Sequence, residues 1–257
     1  MLYRLVNWSL RFLLLCLCRI RGGELKKVPL EGPFIIVTNH INFLEVPLLY
    51  LFMLPRRVIG LVKAETWHNP LLQGLAELWE AIPLHRNKVD GKAFRRAVKM
   101  LKGGRIVIIA PEGTRSKNGR LQRGYPGVVL LALKSGSPLL PVVHYGGENF
   151  WSNLRALRRT DFIFRVGRPF RLEPEGRRVN QRMRRKMTDE IMFQLAALLP
   201  KSHRGVYADL ASASRRYLRF RDEAREDPQG EGVKPQRFSI VERKLLTARS
   251  TRMQSSG

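Results

Sequence analysis

Asn39-His40, with Glu45 five residues after the histidine, sets an imidazole near a carboxylate just past an apolar run, Phe34-Ile35-Ile36-Val37-Thr38. Further along, Pro111-Glu112-Gly113-Thr114-Arg115 follows a second apolar run, Ile106-Val107-Ile108-Ile109-Ala110, and offers a tight turn and an anion-binding arginine. A base with an orienting acid, plus a cationic pocket, is what removal of a proton from a hydroxyl on an anionic substrate requires. The pattern points to chemistry on a phosphorylated alcohol.

His40 is the candidate general base. A neutral imidazole near pH 7 suits proton removal and contributes roughly 10²–10⁴-fold in rate. Glu45 would keep one ring nitrogen protonated and stabilise the imidazolium. On one continuous helix, residues five apart diverge by roughly 140°. The pair therefore requires a turn between His40 and a helix that begins near Glu45, and Asn42 is placed to cap that helix. Gly113 permits a backbone turn that a side chain would block. Arg115 can grip a phosphate through two parallel N–H donors, and Thr114 adds a hydroxyl. Glu112 is expected to position an arginine, Arg86 or Arg115. His68, His144 and His203 stand isolated, and no pair has metal-ligand spacing. The chain has no G-x-S-x-G elbow and no Walker-type phosphate loop, so direct transfer from donor to acceptor is simpler than a covalent intermediate.

Four blocks carry a family resemblance. Asn39-His40-Ile41-Asn42-Phe43-Leu44-Glu45 resembles the H-x4-D block of the glycerolipid acyltransferases, the family of 1-acyl-glycerol-3-phosphate acyltransferases. Ile82-Pro83-Leu84-His85-Arg86 resembles that family's second block, which ends in Arg. Pro111-Glu112-Gly113-Thr114-Arg115 matches its third, written F-P-E-G-T-R, and Leu139-Leu140-Pro141-Val142-Val143 resembles its fourth, a Val-Pro-rich strand. The resemblance implies an acyl thioester, acyl-CoA or acyl-carrier protein, as donor and co-substrate, with no separate cofactor and no metal. It implies 1-acyl-glycerol 3-phosphate (lysophosphatidate) as acceptor and phosphatidate as product. It makes His40 and Glu45 catalytic, and Lys63, Arg86, Glu112, Gly113, Thr114 and Arg115 substrate-binding. The family usually has Asp where this chain has Glu45, so the longer side chain must fold back by one methylene or its helix must shift. Two alternatives stay open: the same chemistry on another lysolipid or a lipid A-type acceptor, and a non-catalytic basic protein that binds membrane or nucleic acid.

These groups are far apart in the chain, so the elements between them must gather them. Strand-like runs at 34–38, 57–63, 81–84, 105–110, 139–143 and 162–166 alternate with helix-like stretches at 45–53, 70–79, 90–101, 126–134 and 179–198. Asn69-Pro70 and Asp90 read as helix starts, and Gly103-Gly104 and Gly136 as helix stops. Alternation of this kind predicts an α/β fold, a mixed, largely parallel sheet flanked by helices. The resemblance implies the glycerol-3-phosphate acyltransferase-like version of it. Ligands in such sheets bind beyond the carboxyl ends of the strands, and His40, Arg86 and Glu112 each follow a strand.

At 257 residues and 44% hydrophobic, the chain suits one domain with appendages and is too apolar for a disordered one. Its 47 Lys and Arg against 21 Asp and Glu give a net charge of +26, which implies an anionic partner. Zinc-finger spacing, basic-zipper heptads and RNA-binding aromatic blocks are all missing, so membrane lipid is expected rather than a specific nucleic acid. Residues 1–22 combine Tyr3, Trp8 and the run Phe12–Cys18 with Arg4, Arg11 and Arg19. That run is far short of the roughly 20 residues a spanning helix needs; an interfacial helix fits instead, implying a peripheral or monotopic protein on the cytoplasmic membrane face. Cys16 and Cys18 are too close for a useful disulfide. The expected organisation is a membrane-associated helix over 1–22, a catalytic domain over 23–207, and a basic, partly disordered tail over 208–257.

Overall fold

Short β-branched and leucine-rich runs build the centre of this protein, and amphipathic helices cover it. The structure is a computed structural model that describes residues 2–85, 90–116, 118–174, 176 and 178–220. In chain order the elements are α1 (Leu2–Leu17), β1 (Cys18–Arg21), β2 (Phe34–Val37), α2 (Glu45–Phe52), β3 (Val58–Lys63), α3 (Pro70–Leu78), β4 (Ile82–Leu84) and α4 (Gly91–Lys102). There follow β5 (Ile106–Ile109), α5 (Gly127–Ser135), β6 (Leu139–Tyr145), α6 (Phe150–Arg155), β7 (Thr160–Val166), β8 (Phe170–Leu172), α7 (Gln181–Leu198) and β9 (Leu218–Phe220). Two of the expected starts are capped as read. The Asn69 side chain accepts from the N–H groups of Leu71 and Leu72, and Asp90 accepts from that of Ala93. Gly136 ends α5 in the left-handed conformation that only glycine adopts without penalty.

Among the described residues the strands form one sheet in the order β1-β7-β6-β2-β5-β3-β4, with β8 and β9 added beside β6. Pairings through β2, β3, β4 and β5 are parallel, as is β1 with β7; β6–β7, β6–β8 and β8–β9 are antiparallel. This is the mixed, largely parallel sheet the sequence predicts. Strand period two sorts the core into two layers. Ile35, Val37, Val107 and Val143 face α4, α5 and α7, while Ile36, Ile106, Ile108 and Val142 face α1, α2 and α6. Because β2 to β6 run the same way, their carboxyl ends share one edge.

Both ends of the described chain are more integrated than the sequence suggests. α1 is not a free-standing element: Leu14 is buried against α2, the Trp79 indole N–H donates to Asn7 at 3.0 Å, and the chain runs on into β1, which pairs with β7. Its other face leaves Leu5, Trp8, Phe12 and Leu13 exposed. No described helix is long and apolar enough to cross a membrane. At the far end, residues 208–220, read from sequence as the start of the tail, hold β9. The buried Glu190 carboxylate binds them by accepting from the Ser214 hydroxyl and from the N–H groups of Arg216 and Tyr217. Phe220 then packs on Phe170, ring centroids 5.6 Å apart. The rest of the expected tail, 221–257, lies outside the described residues.

Candidate active site

β2 delivers Asn39 and His40 to the shared edge. The buried Asn39 side chain continues the sheet where the ladder stops: its Oδ1 accepts the His144 N–H at 3.0 Å and its Nδ2–H donates to the His144 carbonyl at 2.8 Å. After His40 the chain turns before α2 begins at Glu45, as the dyad requires. Asn42 does not cap that helix. Its Oδ1 accepts the Leu44 N–H at 2.9 Å and its Nδ2–H ties the turn to the Gly147 carbonyl at 2.8 Å. The Glu45 carboxylate organises the turn instead. It folds back so that Oε1 meets His40 Nδ1, while Oε2 accepts the Ile41 and Asn42 N–H groups at 2.8 and 3.2 Å. The extra methylene of glutamate is thus absorbed by the backward fold of the side chain.

Burial pushes the Glu45 carboxyl up, but the charge and hydrogen bonding of His144 and His40 outweigh it and hold the group well below the usual carboxylate range. With Nδ1 facing Glu45, His40 Nε2 is the nitrogen left to meet a substrate hydroxyl. An apolar groove of about 80 Å³ opens beside it, walled by Leu49, Tyr50, Leu61, Val62, Leu84 and Ile108, with Gly113 on its rim.

Glu112 does not pair with Arg115, and Arg86 lies outside the described residues. Glu112 is almost fully buried and positions no arginine among the described residues. Its Oε1 accepts the His40 N–H at 2.9 Å and its Oε2 the Gln122 N–H at 2.8 Å. Burial pushes its carboxyl up to about 7, against the pull of those two N–H donors. Ser116 N–H donates to the His40 carbonyl at 2.7 Å, so the loop after β5 grips both backbone groups of His40. Gly113 sits at φ +65° with the Tyr125 ring 3.3 Å from where a Cβ would stand, so a side chain is disfavoured twice over. Thr114 and Arg115 are exposed beyond this turn and make no hydrogen bond or ion pair among the described residues. Lys63, at the end of β3, is exposed and pairs with Glu65 at 3.2 Å, adjacent to the groove residues Leu61 and Val62. Arg86 lies outside the described residues, two positions past the groove residue Leu84. Pro141 to Val143 are buried within β6 and do not line the groove.

His144, read from sequence as isolated, is the residue that reading missed. It is fully buried at the end of β6, with Nε2 3.1 Å from Glu45 Oε2 and 3.0 Å from the Asn39 carbonyl. Burial alone would favour its neutral form; the Glu45 charge reverses this and raises its pKa above the ordinary histidine value. Its position directly after the apolar run 139–143, just as Glu112 and His40 each stand two residues past an apolar run, was the available signal. Among the described residues no three His, Cys, Asp or Glu side chains are gathered to hold a metal ion.

An imidazole backed by a buried carboxylate, beside an apolar groove on the edge of an α/β sheet, has the geometry that acid–base activation of a hydroxyl requires. Residues 19–145, about half of the chain, match the family profile described as "Acyltransferase". Among curated proteins it is 28% identical over 134 residues to a 1-acyl-sn-glycerol-3-phosphate acyltransferase of Borreliella burgdorferi, covering 51% of this chain and 52% of that protein. It is 29% identical over 132 residues to a Bacillus subtilis protein of the same name, covering 49% and 65%. The matched stretch thus spans about half to two thirds of those relatives' length. The fold is shared with a crystal structure of the 1-acyl-sn-glycerophosphate acyltransferase PlsC from Thermotoga maritima, at a TM-score of 0.53 and 22% identity over 74% of this chain and 76% of that one.

Proposed function

We propose that this protein transfers a fatty acyl group from a thioester to the free hydroxyl of 1-acyl-glycerol 3-phosphate, forming phosphatidate at a membrane surface. The observation that carries the reading is His40, held through Nδ1 by buried Glu45 beside an apolar groove. The names of the relatives, and of the protein whose fold it shares, support the acceptor. In the reaction, His40 Nε2 takes the hydroxyl proton as the oxygen attacks the thioester carbonyl. The new ester C–O bond forms, the C–S bond breaks, and the imidazolium returns its proton to the departing thiolate. Glu45 stabilises that imidazolium. The apolar groove suits an alkyl chain, and Arg115 and Thr114, with Lys63 and Arg86, are assigned to the phosphate. The exposed apolar face of α1, flanked by Arg4, supports attachment to anionic lipid, and the cytoplasmic face is part of the same proposal.

The deciding experiment is thiol release from palmitoyl-CoA or acyl-carrier protein, in mixed micelles, with 1-acyl-glycerol 3-phosphate and a panel of other lysolipids. Release that depends on 1-acyl-glycerol 3-phosphate, and falls about 10²–10⁴-fold in His40→Ala, is the expected result. No release with either donor, or release confined to another acceptor, would sink this assignment.

A further inference from the structure

We propose that His144 is a positioning residue for the His40–Glu45 pair, its Nε2–H clasping the far oxygen of the Glu45 carboxylate so that the near one stays on His40. Four observations carry this. First, the contact is direct: Nε2 lies 3.1 Å from Glu45 Oε2, with both side chains buried. Second, the proton location follows from chemistry. The Asn39 carbonyl, 3.0 Å from the same nitrogen, can only accept, so Nε2 carries the hydrogen whether the ring is neutral or charged. The contact to Glu45 is therefore a donation in either state. Third, His144 is fixed with respect to the base. The Asn39 side chain bonds both backbone groups of His144, and Asn39 is the residue before His40. Fourth, His144 Nδ1 is buried with no hydrogen-bond partner among the described residues. A fold selecting only for packing would favour an apolar side chain there over an imidazole with one idle nitrogen.

The need for such a clasp follows from Glu45 being a glutamate. Its carboxylate turns about one more bond than an aspartate would, and the Ile41 and Asn42 N–H groups hold Oε2 from one side only. His144 approaches from β6, a separate strand, and removes that freedom. It also supplies a further donor to a buried carboxylate.

The test has two arms. The kinetic arm rests on the acyl-transfer reading; the spectroscopic arm does not. In the acyl-transfer assay, His144→Leu is expected to lower kcat about ten- to a hundredfold, the loss that follows from removing a hydrogen bond to a charged group, with KM for the phosphorylated acceptor unchanged. His144→Gln, whose amide N–H reaches a similar point, is expected to recover most of that loss. Nitrogen-15 NMR of the wild-type imidazoles, without substrate, is expected to show His144 Nε2 protonated from pH 5 to 9, with its shift altered in Glu45→Gln. Wild-type kcat in His144→Leu would overturn the proposal. So would equal losses in the Leu and Gln variants, which would reduce His144 to packing, or a bare Nε2 in the NMR, which needs no variant to fold. A protonated, Glu45-sensitive Nε2 in a protein with no transferase activity would instead refute the proposed function and leave the clasp standing.

Discussion

Arg115 and Glu112 are three residues apart in the chain, yet opposite in situation. Arg115 is exposed and unpaired among the described residues, which suits a group waiting for an anionic ligand. Arg115→Ala is therefore expected to raise KM for the phosphorylated acceptor about tenfold or more while kcat changes little, the mark of lost binding; steady-state kinetics beside His40→Ala check it. Glu112 is buried, with its carboxyl raised from 4.5 to about 7. The sign follows directly: the folded state binds the extra proton, so this residue's contribution to stability falls as pH rises from about 4.5 to 7 and is flat above. Glu45, with its lowered value, contributes stability that is lost only as pH falls below the ordinary carboxylate range. Urea unfolding at pH 5 and pH 7.5 is expected to show wild type losing on the order of 1–3 kcal/mol more than Glu112→Gln over that interval. Equal losses would place the titration elsewhere. His40, Glu45 and Gly113 were legible in sequence because residue type and spacing state their chemistry. The clamp by Glu112 and the contact of His144 were not. Each joins residues 72 or more positions apart, and a buried acceptor looks the same in sequence as a solvated one.

At the level of elements, the central strands were readable because each is a short, wholly apolar run that two-sided burial demands. The strands missed were β1, β8 and β9, whose sequences Cys-Arg-Ile-Arg, Phe-Arg-Leu and Leu-Arg-Phe alternate arginine with apolar residues. Such strands become legible only once a neighbour supplies the ladder: Phe220 is buried against Phe170, with Arg168 and Arg215 over its ring. α1 illustrates the same limit: its apolar residues suffice for two surfaces, and sequence alone does not divide them. The structure assigns Leu14 and Asn7 to the body and leaves Trp8 stacked on Phe12 at the surface, centroids 6.0 Å apart. Replacing Trp8 and Phe12 together with serine is expected to leave the melting temperature within a few degrees, since both are exposed. The same change should cut cosedimentation with phosphatidylglycerol vesicles severalfold. Unchanged vesicle binding would move the lipid contact off this helix.

Across the whole molecule, one edge of one sheet collects what the chain scatters. β2 brings His40, the loop after β5 brings its clamp, and β6 brings His144. The clamp has a further consequence for how the protein opens. Active-site loops commonly unfold locally at little cost, yet here the His40 N–H and carbonyl are held by Glu112 and Ser116, and the Ile41 N–H by Glu45. Freeing any one of them means dismantling contacts between β2, β5 and α2. In hydrogen–deuterium exchange, the amides of His40, Ile41 and Ser116 should therefore be protected like those of Ile36 and Ile108 in the central strands, and a loop that exchanges within seconds would contradict it. Catalytic competence and the integrity of the sheet would then be lost in the same cooperative step, so that inactivation by denaturant runs parallel to unfolding instead of preceding it.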